Sequence, residues 1–151
     1  MLGKILTPIH LYKVANWLYR HKCNSIAYLV SYVNFLLTGC QLPAEATIGC
    51  GVRFPDLGAG VVLNKTTVIG DNCTILPHAV LGQNVRIGGA VEGQIIVGKG
   101  VVIGAGAKVI ATGVLTIGDN AAIGANAVVL RSVPANCLAV GVPARIIRQP
   151  E

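Results

Sequence analysis

Charged side chains are scarce in this sequence, and large aromatic ones are scarcer. Asp, Glu, Lys and Arg make up 12% of the 151 residues, with two phenylalanines and one tryptophan. So little charge beside 53% apolar residues excludes intrinsic disorder. The length suits one domain with a small appendage. The shortage of phenylalanine beside 19 glycines excludes an aromatic-centred core and points to small and branched aliphatics joined by many tight corners. Acids are missing altogether from residues 1–40, where Lys4, Lys13, Arg20 and Lys22 give a charge of +4; the remainder carries eight bases and six acids, adding +2. No basic run with interleaved aromatics and no reading-helix motif is present, so nucleic acid is not an expected partner. The cysteines (Cys23, Cys40, Cys50, Cys73 and Cys137) form no CxxC pair and are odd in number. Reduced thiols in a cytosolic protein are expected, with no disulfide frame and no zinc site. The start lacks the uninterrupted apolar core of a signal peptide. The most apolar stretch, Ile26–Leu37, falls short of the roughly 20 residues that span a bilayer. The expected location is cytoplasmic, with peripheral contact at the inner face of the membrane open to the basic leader.

Residues 1–40 read as two helices. In the first, Leu11, Val14, Ala15 and Leu18 recur at helical spacing; in the second, Ile26, Leu29, Val30, Val33 and Leu37 share one side. Ser25 is a candidate N-cap and Gly39 a candidate C-terminal stop. The hairpin can pack on its own body, on a neighbouring subunit or on a membrane surface.

From about Ala46 the period becomes six. Aliphatic anchors fall at Ile48, Leu63, Ile69, Ile75, Leu81 and Ile87, then at Val97, Ile103 and Val109, then at Ile117, Ile123 and Val129, with Phe54 in phase. Glycine follows most anchors, and a small or β-branched residue such as Thr67, Cys73, Ala79 or Ala107 stands two before. A six-residue unit is too short for a helix and fits one short strand plus a corner, so three units close a triangular coil. Anchors then stack inward about 4.8 Å apart, and thirteen of them make roughly four coils of a β-helix. The expected organisation is a helical segment over 1–40, a β-helix over 41–133 and a tail over 134–151. Three insertions break the period: Phe54-Pro-Asp-Leu-Gly-Ala-Gly60, Gly88-Gly-Ala-Val-Glu-Gly-Gln94, and the stretch around Ala111–Val114. Loops on a rigid scaffold are where sites are usually built.

Three stretches, Val102-Ile-Gly-Ala-Gly-Ala-Lys108, Ala122-Ile-Gly-Ala-Asn-Ala-Val-Val-Leu-Arg131 and Val140-Gly-Val-Pro-Ala-Arg145, resemble the hexapeptide-repeat acyltransferases. The likeness is greatest to the serine acetyltransferase and polysaccharide O-acetyltransferase branch. It implies an all-β, left-handed parallel β-helix that forms a homotrimer, with acetyl-CoA in a groove between two subunits and the tail covering that groove. By position Ala105 and Ala125 match the small residues whose backbone lines the pantetheine arm. Leu130 and Arg131 match the pair near the nucleotide, and Arg145 and Arg148 the tail residues that reach its phosphates. The implied acceptor is a hydroxyl of a sugar or of serine. No metal is implied: the zinc carbonic anhydrase that shares this fold needs three histidine ligands, and the repeat holds one.

Acetyl transfer to a hydroxyl needs a base and donors for the oxyanion. The family's histidine in the first irregular coil is replaced here by Phe54-Pro55-Asp56, and its second, in the long loop, is absent from Gly88–Gln94. His10 and His21 belong to the helices. His78, in Ile75-Leu-Pro-His-Ala-Val-Leu81, lies at a corner one coil after Asp56, where relatives hold an acceptor-contacting asparagine or serine. It is the candidate base, oriented by Asp56 or by a neighbouring subunit's carboxylate; alternatively it is an ordinary corner residue. Asp56 raised by burial, and Glu92, are the other candidates. The remaining reading is a β-helix without catalysis that binds CoA or serves as a scaffold.

Overall fold

The computed structural model describes residues 7–86, 89–90 and 93–148, with side-chain surroundings for 7–84 and 93–147. Two helices lead into a left-handed parallel β-helix with three faces. The first face stacks Val62–Leu63, Val80–Gln83, Lys108–Ala111 and Val128–Val129. The second stacks Thr47–Ile48, Val68–Ile69, Gln94–Val97 and Val114–Ile117. The third stacks Thr74–Ile75, Val102–Ile103, Ala122–Ile123 and Cys137–Val140. Single bridges from Gln41 to Val62, Arg53 to Thr74 and Ile117 to Val133 extend each face by one rung. The coil therefore has five rungs per face. Leu42, Val133 and Ala139, which the period of six did not mark, are buried in the terminal rungs.

One anchor drops out. Ile69 pairs directly with Val97, so no rung of the second face falls at Ile87. After Asn84 N–H donates to Ala111 O, the chain leaves the coil, and Val85–Arg86 pairs antiparallel with Gly89–Ala90. The phase of six runs on into the insertion by sequence alone; Ile87 and Glu92 lie outside the described residues. The solenoid also continues past residue 133. Cys137–Val140 pairs in parallel with Ala122–Ile123, and only then does the chain reverse to lay Arg145–Arg148 antiparallel on the same face.

Close approach explains the anchor-following glycines Gly49, Gly70, Gly98, Gly104 and Gly118, but not Gly82, where a Cβ would meet nothing nearer than 3.8 Å. A Cβ on Gly70 would stand 2.7 Å from Gly98 O, and one on Gly104 would stand 2.6 Å from Ala125 N, both backbone atoms of the next coil. Cys73 fills its small inner slot, its thiol donating to Gly98 O at 3.0 Å. Burial alone pushes the Cys40 thiol up to about 12, so it stays protonated. All five cysteines are free.

Helix α1 (Pro8–Arg20) closes the open end of the first coil. The Tyr12 hydroxyl donates to Ala46 O at 2.6 Å and accepts from Ile48 N–H, and Asn16 donates to Ala44 O at 2.7 Å. Its buried side is Pro8, Tyr12 and Ala15, leaving Val14 exposed. Helix α2 (Asn24–Thr38) begins one residue before the expected cap Ser25 and ends at Gly39 in the left-handed conformation expected of a stop. It buries Ala27, Asn34 and Thr38, while Ile26, Leu29, Val33 and Leu37 face outward. The reason is local. Asn34 donates to Pro8 O at 3.0 Å and Thr38 to Asn34 O, and the alanines Ala15, Ala27 and Ala44 cluster between the helices and the coil.

Candidate functional site along one edge

The corners between the third and first faces form an edge running along the coil. Each has a residue in left-handed backbone: Gly60 (φ 68°), His78 (61°), Gly106 (70°) and Asn126 (56°). The residue before each one links the coils. His78 N–H donates to Ala59 O at 2.8 Å, Gly106 N–H to Pro77 O at 2.9 Å, and Asn126 N–H to Ala105 O at 2.8 Å. His78, Ala105 and Ala125 thus occupy one edge in three successive coils. The fifth corner, Gly141 to Ala144, caps it: Val128 N–H donates to Gly141 O and Ala144 N–H to Val128 O. Arg145 follows directly and is exposed. From His78 to that corner is three rungs, about 14 Å at the interstrand spacing.

The edge carries unused polar groups. The N–H groups of Ala105 and Ala125 donate to no acceptor among the described residues, whereas on the next edge Cys50 and Lys99 N–H are capped by the carboxylates of Asp71 and Asp119. His78 is exposed, and neither ring nitrogen has a hydrogen-bond partner among the described residues. Its ring lies against Gly60 as the Asn126 amide lies against Gly106, and a Cβ on either glycine would collide with that side chain. In the fold, His78 therefore does what an asparagine does two coils further on.

Asp56 joins the edge in the first coil but not His78 by hydrogen bond. It and Leu57 are consecutive left-handed residues (φ 51° and 58°) in the tight turn Pro55–Gly58. Asp56 is exposed and not buried as a base there was expected to be; it is the one described carboxylate that accepts no hydrogen bond. Leu57, 44% exposed beside it, carried no signal in the period of six. Leu130 and Arg131 are exposed on a different edge, between the first and second faces, so the whole first face separates them from Ala105 and Ala125. Arg148 pairs through its backbone with Cys137, and its side chain lies outside the described part. A residue that the sequence did not single out is Lys108, whose ammonium folds back on Gly106 O at 3.0 Å and sets a cation beside Ala105. His10 and His21 are engaged in the helices, with Thr7 Oγ1 and Trp17 O.

Among the described residues no group of three His, Cys, Asp or Glu side chains could hold a metal. Two cavities of the single chain open away from the edge. One of about 400 Å³ lies between α2 and Leu42–Glu45, and one of about 800 Å³ is lined by Lys65, Gln83, Gln94 and Val114.

No protein-family profile matches the chain. Curated relatives do. It is 41% identical over 136 residues to a serine acetyltransferase of Synechococcus elongatus, covering 90% of this chain and 54% of that protein. It is 40% identical over 136 residues to a serine acetyltransferase of Helicobacter pylori, covering 90% and 77%. Among solved structures, soybean serine acetyltransferase complexed with serine superposes with a TM-score of 0.84 at 35% identity, over 93% of this chain and 56% of that one. Serine acetyltransferase from Brucella abortus in complex with coenzyme A gives 0.86 at 32%, over 95% and 55%. The chain spans 54–61% of the length of the first three curated relatives.

Proposed function

The chain belongs to the serine acetyltransferase family of hexapeptide-repeat acyltransferases, and from that premise we propose that it transfers an acetyl group from acetyl-CoA to the hydroxyl of serine. The observation that carries this is the order of groups on one edge: His78, then Ala105 and Ala125 with unpaired N–H groups, then Arg145. A thin pantetheine chain requires small side chains and backbone donors. The phosphates require a permanently charged guanidinium. With the thioester at the His78 end, the imidazole takes the proton of the serine hydroxyl as its oxygen attacks the carbonyl. A backbone N–H receives the oxyanion. Collapse breaks the carbon–sulfur bond, and the imidazolium returns its proton to the leaving thiolate. Lys108 adds positive charge along the arm.

Serine is favoured over a sugar because the relatives are serine acetyltransferases and one solved neighbour is complexed with serine. The edge of one chain is convex, so an enclosed groove needs a second copy. A homotrimer with the site between subunits is part of the proposal, and a neighbouring copy would supply Leu130 and Arg131. A second reading, CoA binding without transfer, draws on Asp56, which stands where the resemblance places a histidine.

The test is His78→Asn. Asparagine already occupies the equivalent left-handed corner at Asn126 and at Asn72, so the fold is kept. Serine-dependent release of CoA should fall about 100-fold or more, with KM for acetyl-CoA nearly unchanged. Unchanged turnover would reduce His78 to a corner residue.

A further inference from the structure

Seventeen large apolar side chains are exposed on the described surface, and ten of them lie on α1 and α2. That concentration is unusual, because scattered exposed apolar residues are normal and contiguous ones mark an interaction surface. Helix α2 contains no charged residue. With Ala27, Asn34 and Thr38 turned inward, Leu29 (61% exposed) and Leu36 (62%) point outward, flanked by Ile26, Val33, Tyr28 and Tyr32. On α1, Trp17 (58% exposed) and Val14 lie on the side away from Tyr12 and Ala15.

Charge decides what covers this face. Lys13 and Arg20 stand beside Val14 and Trp17, and Lys22 lies in the turn between the helices; all three are exposed. No Asp or Glu occurs in residues 1–40. The nearest acid in sequence, Glu45, is engaged by the Tyr28 hydroxyl at 2.9 Å. Pairing this face with a second copy of itself would set cations opposite cations, with no acid in the hairpin to answer them. An anionic lipid surface answers both features, because it takes apolar side chains below the headgroups and attracts lysine and arginine at them. Tryptophan and tyrosine suit that boundary. No described helix is long and apolar enough to cross a membrane, so α2 would lie in the plane of the interface.

We propose that the α1–α2 hairpin docks on an anionic lipid bilayer, with Leu29 and Leu36 inserted and Lys13, Arg20 and Lys22 at the headgroups. This stands independently of the acetyl-transfer reading. The sequence supplies a reporter on the docking face, since Trp17 is its only tryptophan. The full chain is mixed with vesicles of phosphatidylcholine containing about 30% phosphatidylglycerol, and separately with phosphatidylcholine alone. With the anionic vesicles Trp17 emission should shift to the blue and the protein should float with them. Both effects should weaken in about 0.5 M salt. The Leu29→Ser/Leu36→Ser variant removes no buried contact and should keep its circular dichroism while partitioning about tenfold less or weaker. Lys13→Glu/Arg20→Glu should lose the preference for anionic lipid. Unchanged emission and no flotation with anionic vesicles overturns the proposal. So does self-association without lipid that the double serine variant abolishes, which would assign the face to a second copy.

Discussion

An Ala125→Trp variant should bind acetyl-CoA at least about 100-fold more weakly, a loss of about 2.8 kcal/mol, while melting at the same temperature as the parent. Ala125 is exposed at its corner, so an added indole fills no buried space and displaces no core contact. It would instead cover the edge that runs from His78 past Ala105 to Gly141, and screen the unpaired N–H groups the pantetheine arm is proposed to use. Titration calorimetry with CoA checks the affinity, and a thermal melt checks the fold. Undiminished binding would move the CoA path off this edge. The same substitution at Cys50, exposed at a corner between the second and third faces, is the control and should leave binding unchanged.

Gly104→Ala should destabilise the protein by about 2–3 kcal/mol, although it adds a single methyl group. The new Cβ would lie 2.6 Å from Ala125 N, 2.7 Å from Gly124 C and 2.7 Å from Ile123 O. All three atoms are backbone of the adjacent coil, so no rotamer change relieves the contact and the coils must separate. Separation weakens the ladder in which Gly104 N–H donates to Ile123 O at 2.8 Å. Gly113→Ala makes the comparison internal, because a Cβ there meets nothing within 4 Å. That variant should stay within about 0.5 kcal/mol of the parent. Equal melting temperatures for the two variants would contradict the coil-to-coil packing.

The middle of the solenoid was legible because its inner row is nearly invariant in chemistry. Leu63, Ile69, Ile75 and Leu81 recur every six residues with no polar exception, which no helix or open sheet would require. The ends were not. Val133 comes four residues after Val129, and Ala139 is too small to read as an anchor, yet both are buried in the last rung. The insertion began unseen at Asn84 because Ile87 happens to keep the phase. Helix faces were misread for a different reason. Helix α2 is apolar nearly all round, so amphipathic contrast was absent, and the buried side was chosen by the small residues and by the Asn34 hydrogen bond to Pro8.

The candidate site was legible only as residue types. Spacing alone did not reveal that His78, Ala105, Ala125 and the Gly141–Arg145 corner stand in one line, because the insertions shift their separations in the sequence. Leu130 and Arg131 lie on another edge of the same chain, so a place for them near the nucleotide requires the neighbouring copy of the proposed trimer. Lys108 escaped notice because its position in the repeat faces outward, and only the folded-back contact with Gly106 O brings it to the edge. His78 illustrates why corner residues are hard to read: the left-handed backbone that suits a structural asparagine also holds an unpaired imidazole in the open.

The most direct measurement is incubation of the full chain with acetyl-CoA and serine, following free CoA and the serine product together by mass spectrometry. An O-acetyl ester of serine should form one-for-one with CoA, only when both substrates are present. CoA release that does not depend on serine, or CoA binding with no ester formed, would contradict the assignment of acetyl transfer to this edge.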